Sequence, residues 1–405
     1  LPTTNYQLPI TNYQLPITNY QLPMHNNFNQ TRVILVRHGR STYNEQQRYQ
    51  GCCDESVLTE EGKYQALKTG LALSKIKFDA VYASPLQRTQ ETAKDILKVN
   101  EYSTKIILNS NLKEVDLPGW QGLQYKYVRQ EFAEQYRIWE ETPHEFTIEN
   151  IESNGQTLIK TKTKPVLQLY EKAQQFWQEI LPLHRGKTIL VVSHGGTIRA
   201  LLSAAAKIQP HNYHAIQQSN SSINILDFAN SSFSAKAQIS AINLTQHLGE
   251  VLPKLKDGKY GLRLLLLPVN PQENKTDFNN SKIIKFLREI ELDFCISDSS
   301  ITNTQCLVEL ILKSQSNPPF SLSISRENFL DIWHQKISQS SRKNHHILNT
   351  GLVVANINTI KTTLSQILEV NSQSLQLNSE EISILFYPNT KNHPVLQAMN
   401  ISGFD

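Results

Sequence analysis

The apolar positions of this chain fall into short unbroken runs, each followed by an amphipathic stretch. Val33-Ile34-Leu35-Val36, Ala80-Val81-Tyr82-Ala83 and Ile189-Leu190-Val191-Val192 carry no polar residue at all. Runs of that length without alternation predict strands buried on both faces, as in parallel sheets covered by helices. The predicted strands are 32–36, 79–83 and 188–193. Helical patterns follow them. Thr59 predicts an N-cap, with Glu60 and Glu61 in the first turn and Tyr64, Leu67 and Leu71 at helical spacing. Ser84 with Gln87 predicts a capping box, and Pro85 suits the first helical position. That places Arg88 in the first turn of a helix continued by Ala93, Ile96 and Leu97. A third helix is predicted over Thr197–Ala206. Val128, Phe132, Tyr136 and Trp139 form a further helical stripe inside a 120–165 region read as a lid. Lys126 and Arg129 there are read as solvated helix charges.

Each predicted strand delivers a cation or an imidazole near its C-terminal end, where open α/β sheets bind ligands. The first ends in Arg37-His38-Gly39, the second leads to Arg88, and the third ends in His194-Gly195-Gly196. Glycines at a helix N-terminus let backbone N–H groups approach an anion. Two guanidiniums offer forks for phosphate oxygens, and two imidazoles offer a nucleophile and a partner. The expectation is an anion site with chemistry in it. His38 would be its neutral nucleophile: an imidazole titrates near pH 6.5 unperturbed, and Arg37 and Arg88 disfavour its cation.

Composition narrows the setting. A chain of 405 residues suits two domains, and its 39% apolar content suits a globular protein. The net charge of +4 comes without a long Lys/Arg cluster, so nucleic acid is not an expected partner. No apolar run approaches the roughly 18 residues of a membrane span. Cys52, Cys53, Cys295 and Cys306 make no Cys-x-x-Cys pair, so reduced thiols of a cytoplasmic protein are expected, with no metal and no cofactor. Nothing points to an oligomeric state. Residues 1–23 repeat the heptad Thr4-Asn5-Tyr6-Gln7-Leu8-Pro9-Ile10, and Pro2, Pro9, Pro16 and Pro23 exclude a stable helix. Residues 1–30 are expected to be a disordered tail, with the natural product starting at Met24.

The stretches Arg37-His38-Gly39-Arg40-Ser41-Thr42-Tyr43-Asn44, Leu58-Thr59-x-x-Gly62, Ser84-Pro85-Leu86-x-Arg88-Thr89-x-x-Thr92-Ala93 and Ser193-His194-Gly195-Gly196 occur in that order. Over residues 32–228 the chain resembles the histidine phosphatase superfamily, the phosphoglycerate mutase-like clan. The resemblance implies a three-layer α/β/α sandwich with a mostly parallel sheet. It implies that His38 carries a phosphohistidine and that Arg37, Arg88 and His194 hold phosphoryl oxygens with help from Asn44. Gly51 and Gly195 join them as expected substrate contacts. Glu114 matches the family's acid, with Asp116 as second choice. The run Val115–Gly122 lacks the Arg-His-Tyr-Gly stretch of the cofactor-dependent mutases and looks more like the phosphatases. Glu152-Ser153-Asn154-Gly155-Gln156-Thr157 departs from their Gly-Glu-Ser motif, which bears on the substrate-side contacts. The implied activity is metal-independent hydrolysis of a small phosphorylated metabolite. A mutase is the alternative, and a non-catalytic phospho-ligand-binding protein is a third reading.

The second half repeats the pattern without the chemistry. Arg263–Asn270 parallels the opening strand, with Pro268 and Val269 in place of Arg37 and His38. Leu292–Ser299 parallels Phe78–Pro85, with Thr302 for Arg88. Gly351–Ile360 parallels Ile189–Ile198, with Asn356 for His194, and Glu381–Phe386 parallels Ser222–Asp227. Glu327 and Trp333 echo Glu114 and Trp120. The expectation is a duplicated fold: a catalytic domain over 31–250, a linker near 245–260, and a degenerate copy over 259–405.

Overall fold

The computed structural model describes residues 30–402, apart from 101–103, 154–157, 230–236, 257, 259, 273–281, 299–301, 318, 325–332, 334, 336–345, 380 and 391–392. The heptad repeat, Met24 and Glu327 therefore lie outside the described residues. Twelve strands form one sheet: β1 (Gln30–Arg37), β2 (Ala80–Ala83), β3 (Ile106–Leu108), β6 (Thr188–Ser193), β7 (Ile223–Ala229), β8 (Ala237–Leu244), β9 (Gly261–Val269), β10 (Phe294–Asp298), β11 (Phe320–Ile324), β12 (Leu348–Asn356), β13 (Ile382–Pro388) and β14 (Val395–Ile401). A separate hairpin joins β4 (Ile148–Ser153) to β5 (Leu158–Thr163).

The strand order is β3-β2-β6-β1-β7-β8-β14-β13-β9-β12-β10-β11. Each half has four parallel strands and then two antiparallel ones, and the two halves are mirror-ordered about the β8–β14 contact. The registers repeat as well. Val33 pairs with Ile189 and Leu226, as Leu264 pairs with Gly351 and Leu385. Ala80 pairs with Ile189, as Phe294 pairs with Gly351. At the join, Ile242 faces Met399. Asn243 and Asn400 both adopt left-handed backbone, at φ 52° and 61°. The Asn243 Nδ2 donates to the Gln397 carbonyl at 2.6 Å, and the Asn400 Nδ2 donates to the Ser240 carbonyl at 2.8 Å. Such reciprocity marks an approximate two-fold axis.

Successive residues of the unbroken apolar strands point to opposite faces, so each strand feeds two cores. Val33, Leu35, Leu264 and Leu266 enter one cluster; Ile34, Val36, Leu265 and Leu267 enter the other. The second face is covered by α2 (Glu60–Ala72), α3 (Gln87–Lys98), α8 (Lys282–Arg288) and α9 (Thr302–Ser314). The first face takes α6 (Pro165–Ile180), α7 (Gly195–Ala206) and the helix Ile357–Leu368. Both cores are continuous across the two halves. Trp333, like Trp120, is buried in the first cluster.

Three local expectations need correcting. Thr59 caps α2 as expected, accepting from the Gly62 N–H, but the buried face of α2 is Gly62, Ala66, Thr69 and Gly70. Leu71 is 42% exposed. Small residues let α2 close on α3: a Cβ on Gly70 would lie 2.4 Å from the Val99 Cγ2. Ser84 does not cap α3; the Gln87 N–H donates instead to the Asp54 Oδ1 at 2.6 Å, and the Ser84 hydroxyl turns to His194. The stripe at 128–139 spans two helices, α4 (Tyr125–Glu131) and α5 (Ala133–Glu141), that meet at Phe132. Of the 152–157 motif, residues 154–157 lie outside the described residues. Among the described residues no helix is long and apolar enough to cross a membrane.

Candidate active site

β1 and β6 lie side by side with Arg37 opposite Ser193, and the His38 N–H donates to the Ser193 carbonyl at 2.9 Å. That register brings His38 and His194 together, with ring centroids 5.3 Å apart in an edge-on contact. His38 Nδ1 sits 2.7 Å from the Gly39 carbonyl oxygen. A carbonyl only accepts, so Nδ1 carries the proton and the ring's lone pair is on Nε2. Burial, then Arg88, then Arg37 push the His38 pKa well below the ordinary histidine value. The ring is therefore neutral at neutral pH. His194 is held neutral by burial and then by Arg88, His38 and Arg37. Its Nε2 is 2.9 Å from the Ser84 Oγ.

Arg88 stands in the first turn of α3 and is fully buried. Its Nη1 donates to the Cys53 carbonyl at 2.9 Å and its Nη2 to the Gly51 carbonyl at 3.0 Å. The Arg37 Nη1 donates to the Gln218 carbonyl at 2.8 Å. Arg37 Nε, Arg88 Nε and His194 Nδ1 are buried without a hydrogen-bond partner. An unmet buried donor is costly, so this cluster suits a group rich in acceptor oxygens, such as a phosphoryl group.

Glu114 follows the short turn Ser110–Leu112. Its Oε2 accepts from the Gly196 N–H at 3.2 Å, and its Oε1 accepts from the Thr197 and Val115 N–H groups at 3.1 and 2.9 Å. The group met by the start of α7 is thus the Glu114 carboxyl, at the Gly196 and Thr197 N–H groups, while Gly195, the glycine expected to contact substrate, lines the neighbouring cavity. A Cβ on Gly196 would lie 2.5 Å from the Glu114 Oε1 and 2.4 Å from the Tyr213 hydroxyl, so only glycine fits. Asn44 uses its side-chain oxygen to accept from Asn220 Nδ2 and the Ser41 hydroxyl, at 2.9 and 3.0 Å.

A cavity of about 370 Å³ opens beside this cluster, a size suited to a small metabolite. Of the expected residues, Arg37, Asn44, Gly51, Glu114 and Gly195 line it, whereas His38, Arg88 and His194 are almost completely buried. Glu114 faces the cavity and Asp116 does not. Two lining cations were not foreseen, Arg199 and Lys256. Arg199 was legible: it stands one helical turn after Gly195 and so on the same face. Lys256 belongs to the linker, and no local pattern relates it to the site. Lys126 and Arg129 do not line the cavity; Arg129 Nε donates to the Tyr136 hydroxyl. The Cys52 thiol, pushed up to about 12 by burial, stays protonated.

Residues 33–239 match the family model described as histidine phosphatase superfamily (branch 1). The chain is 36% identical over 197 residues to a probable 2-carboxy-D-arabinitol-1-phosphatase of Arabidopsis thaliana, a match covering 49% of this chain and 38% of that protein. The aligned stretch thus spans less than two fifths of the plant relative. Phosphoserine phosphatase 1 of Hydrogenobacter thermophilus is 30% identical over 219 residues, covering 54% of this chain and 95% of that one. A solved phosphoserine phosphatase from Entamoeba histolytica is 26% identical, with a TM-score of 0.44, over 54% of this chain and 99% of that chain.

Proposed function

The chain belongs to the histidine phosphatase superfamily, and from that premise we propose that it hydrolyses a phosphomonoester of a small metabolite through a phosphohistidine on His38. The observation that carries this reading is the tautomer of His38. The Gly39 carbonyl fixes the proton on Nδ1, so Nε2 is the nucleophile, in the same cluster as the buried donors of Arg37, Arg88 and His194. In the first step the Nε2 lone pair attacks phosphorus in line, the P–O ester bond breaks, and the Glu114 carboxyl gives a proton to the leaving oxygen. In the second, the Glu114 carboxylate takes a proton from water, the hydroxide oxygen bonds to phosphorus, and the N–P bond breaks. Arg37 and Arg88 balance the charge on the equatorial oxygens, with His194 and Asn44 beside them. The loose transition state of phosphoryl transfer draws most of its stabilisation from such positioning.

Residues 31–250 are the catalytic unit in this reading. Residues 259–405 are a degenerate, non-catalytic copy, supported by the repeated strand order and registers and by Pro268, Val269, Thr302 and Asn356 at the positions of Arg37, His38, Arg88 and His194. The four unpaired cysteines favour a reducing compartment, the cytoplasm. Phosphoserine and 2-carboxy-D-arabinitol 1-phosphate, which the names of two relatives contain, are the first substrates to try.

The test is single turnover with a substrate labelled in its phosphate. The expected result is an acid-labile protein-bound label that discharges to water as inorganic phosphate and is absent from His38→Ala. Label retained by His38→Ala overturns the assignment of the nucleophile. Discharge only to a second hydroxyl compound favours the mutase.

A further inference from the structure

The approximate two-fold relation between the halves is broken at one buried arginine, and the break leads to the active-site cavity. Arg32 on β1 and Arg263 on β9 occupy equivalent positions, facing Asp227 and Phe386 across the neighbouring strand. Arg32 makes a two-pronged pair with Asp227, at 2.8 and 3.1 Å. Arg263 has no acid opposite it. Its Nη2 donates instead to the carbonyl of Pro253 in the linker at 3.1 Å, and its Nε donates to the Gln397 Oε1 at 3.1 Å. The Gln397 Nε2 donates to the Gln217 Oε1 at 3.1 Å, and the Gln217 Nε2 donates to the Lys254 carbonyl at 3.0 Å. Arg263 and Gln397 of the second half, with Gln217 of the first, thus hold the two successive linker carbonyls of Pro253 and Lys254.

Two residues further on, Lys256 lines the catalytic cavity. Its Nζ donates to the Gln218 carbonyl, the same oxygen that accepts from the Arg37 Nη1. Among the described residues the charged lining is then Arg37, Arg199, Lys256 and Glu114. Arg37 belongs to the phosphoryl cluster, and Arg199 is tied to the Ile216 carbonyl at 2.7 Å. Lys256 is solvent-exposed at the cavity, where a flexible ammonium meets an incoming charged group.

We propose that Lys256 forms a second anion subsite of the catalytic cavity, selecting phosphomonoesters that carry a further carboxylate or phosphate, and that the second half serves the reaction by holding the linker that presents this lysine. The proposal rests on the phosphatase reading above. Arg263 is then a positioning residue, acting through Pro253.

The experiment uses the full chain and two esters that differ by one carboxylate, 3-phosphoglycerate and glycerol 3-phosphate. The quantity read is the ratio of their kcat/KM values. Lys256→Met is expected to lower that ratio about fivefold, and Lys256→Glu to lower it further, while Lys256→Arg preserves it. Arg263→Met is expected to lower it in the same direction, through KM for the acidic ester more than through kcat. A ratio unchanged within about twofold in both Lys256→Met and Lys256→Glu overturns the proposal. A wild-type chain that forms no phosphoenzyme and hydrolyses neither these esters nor phosphoserine defeats the phosphatase reading instead. The subsite is then decided by calorimetric binding of the same two compounds to wild type and Lys256→Met, with the same fivefold change in the ratio of affinities expected.

Discussion

β1 and β9 hold the same place in their halves, between a parallel and an antiparallel neighbour, and they differ in the residues that close the apolar run. β1 ends in Arg37-His38-Gly39, and β9 ends in Pro268-Val269-Asn270. The next equivalent pair tells the same story. His194 and Asn356 are both N-caps of the helix after their strand, yet Asn356 turns its side chain back to accept from the Asn358 N–H at 2.8 Å. His194 makes no cap bond and faces His38. A strand-helix junction left to itself satisfies its own backbone. The first half forgoes that local satisfaction and keeps buried donors for a ligand. The sheet is therefore independent of the chemistry: the same registers hold a site in one half and a plain junction in the other.

The sharpest way to test that contrast is at the two strand ends. His38→Ala is expected to lower kcat by at least about 10⁴-fold, the scale of losing a covalent nucleophile. Val269→Ala is expected to leave turnover within about twofold, and Val269→His to create no second phosphoenzyme, because Pro268 and Thr302 supply no guanidinium. Stoichiometry of the trapped label reads all three; more than one label per chain in Val269→His breaks the comparison. A step smaller is Gly196→Ala. The added Cβ displaces Glu114 and Tyr213, and kcat is expected to fall about 10²- to 10³-fold through lost proton transfer. Asn358 stands at the equivalent place in the second half, so Asn358→Ala is expected to leave kcat unchanged. Equal effects of the two would mean that the glycine serves only the helix.

The contrast also explains how much was legible in the chain. The unbroken runs at 33–36 and 189–192 predicted buried parallel strands, because a strand covered on both faces has no polar alternation. The cationic residue or imidazole after each run was equally plain, and so was the parallel between Ile189–Ile198 and Gly351–Ile360. Ser84 was misread because a hydroxyl before Pro-x-Gln satisfies a local capping rule, whereas its real partner, His194, is 110 residues away. The α2 face was misread because close helix packing selects small residues, which an apolar-spacing rule ignores. Lys256 was invisible for a different reason. The linker just before it is held by Arg263, Gln397 and Gln217, three residues from three segments, and its own Nζ bonds the Gln218 carbonyl, so no run of neighbouring residues announces it.

A third test acts on stability. Asp227→Ala removes the acid from a mostly buried pair and strands the Arg32 guanidinium, with side chains 14% and 4% exposed. The expected loss is about 3 kcal/mol, read as a shift in the urea midpoint at constant slope. Arg263→Met removes a buried guanidinium that faces no carboxylate among the described residues, so a smaller loss is expected there. If Asp227→Ala costs less than Arg263→Met, the two arginines do not differ in the way their partners indicate.

The smallest expected effect is a pH dependence, to which the two halves contribute with opposite sign. His38, His194 and His247 are all held below the ordinary histidine pKa by burial, while Val269 and Asn356 occupy the positions equivalent to the first two. His247 is pushed down to about 4, partly opposed by its hydrogen bond to the Ser221 carbonyl, and its Nε2 also lies 3.0 Å from the Thr69 Oγ1. In the unfolded chain such a histidine takes a proton as pH falls through about 6.5; in the folded chain it waits until about 4. The unfolded state therefore binds more protons in that window, and stability, complete above about 6.5, is lost as pH falls toward 4. His247 alone is expected to remove about 2 kcal/mol between pH 7 and pH 5. Urea unfolding at the two pH values should show that loss in wild type and a smaller one in His247→Gln, whose amide keeps a donor for Ser221 without a titrating group. An identical loss in the variant would move the acid sensitivity to His38 and His194, which burial also holds down, whereas Glu381 of the second half has its carboxyl raised to about 7 by burial. The sign separates the two. A carboxyl raised by burial gains stability as pH falls, so the second half is expected to oppose the acid loss that the histidines of the first half produce.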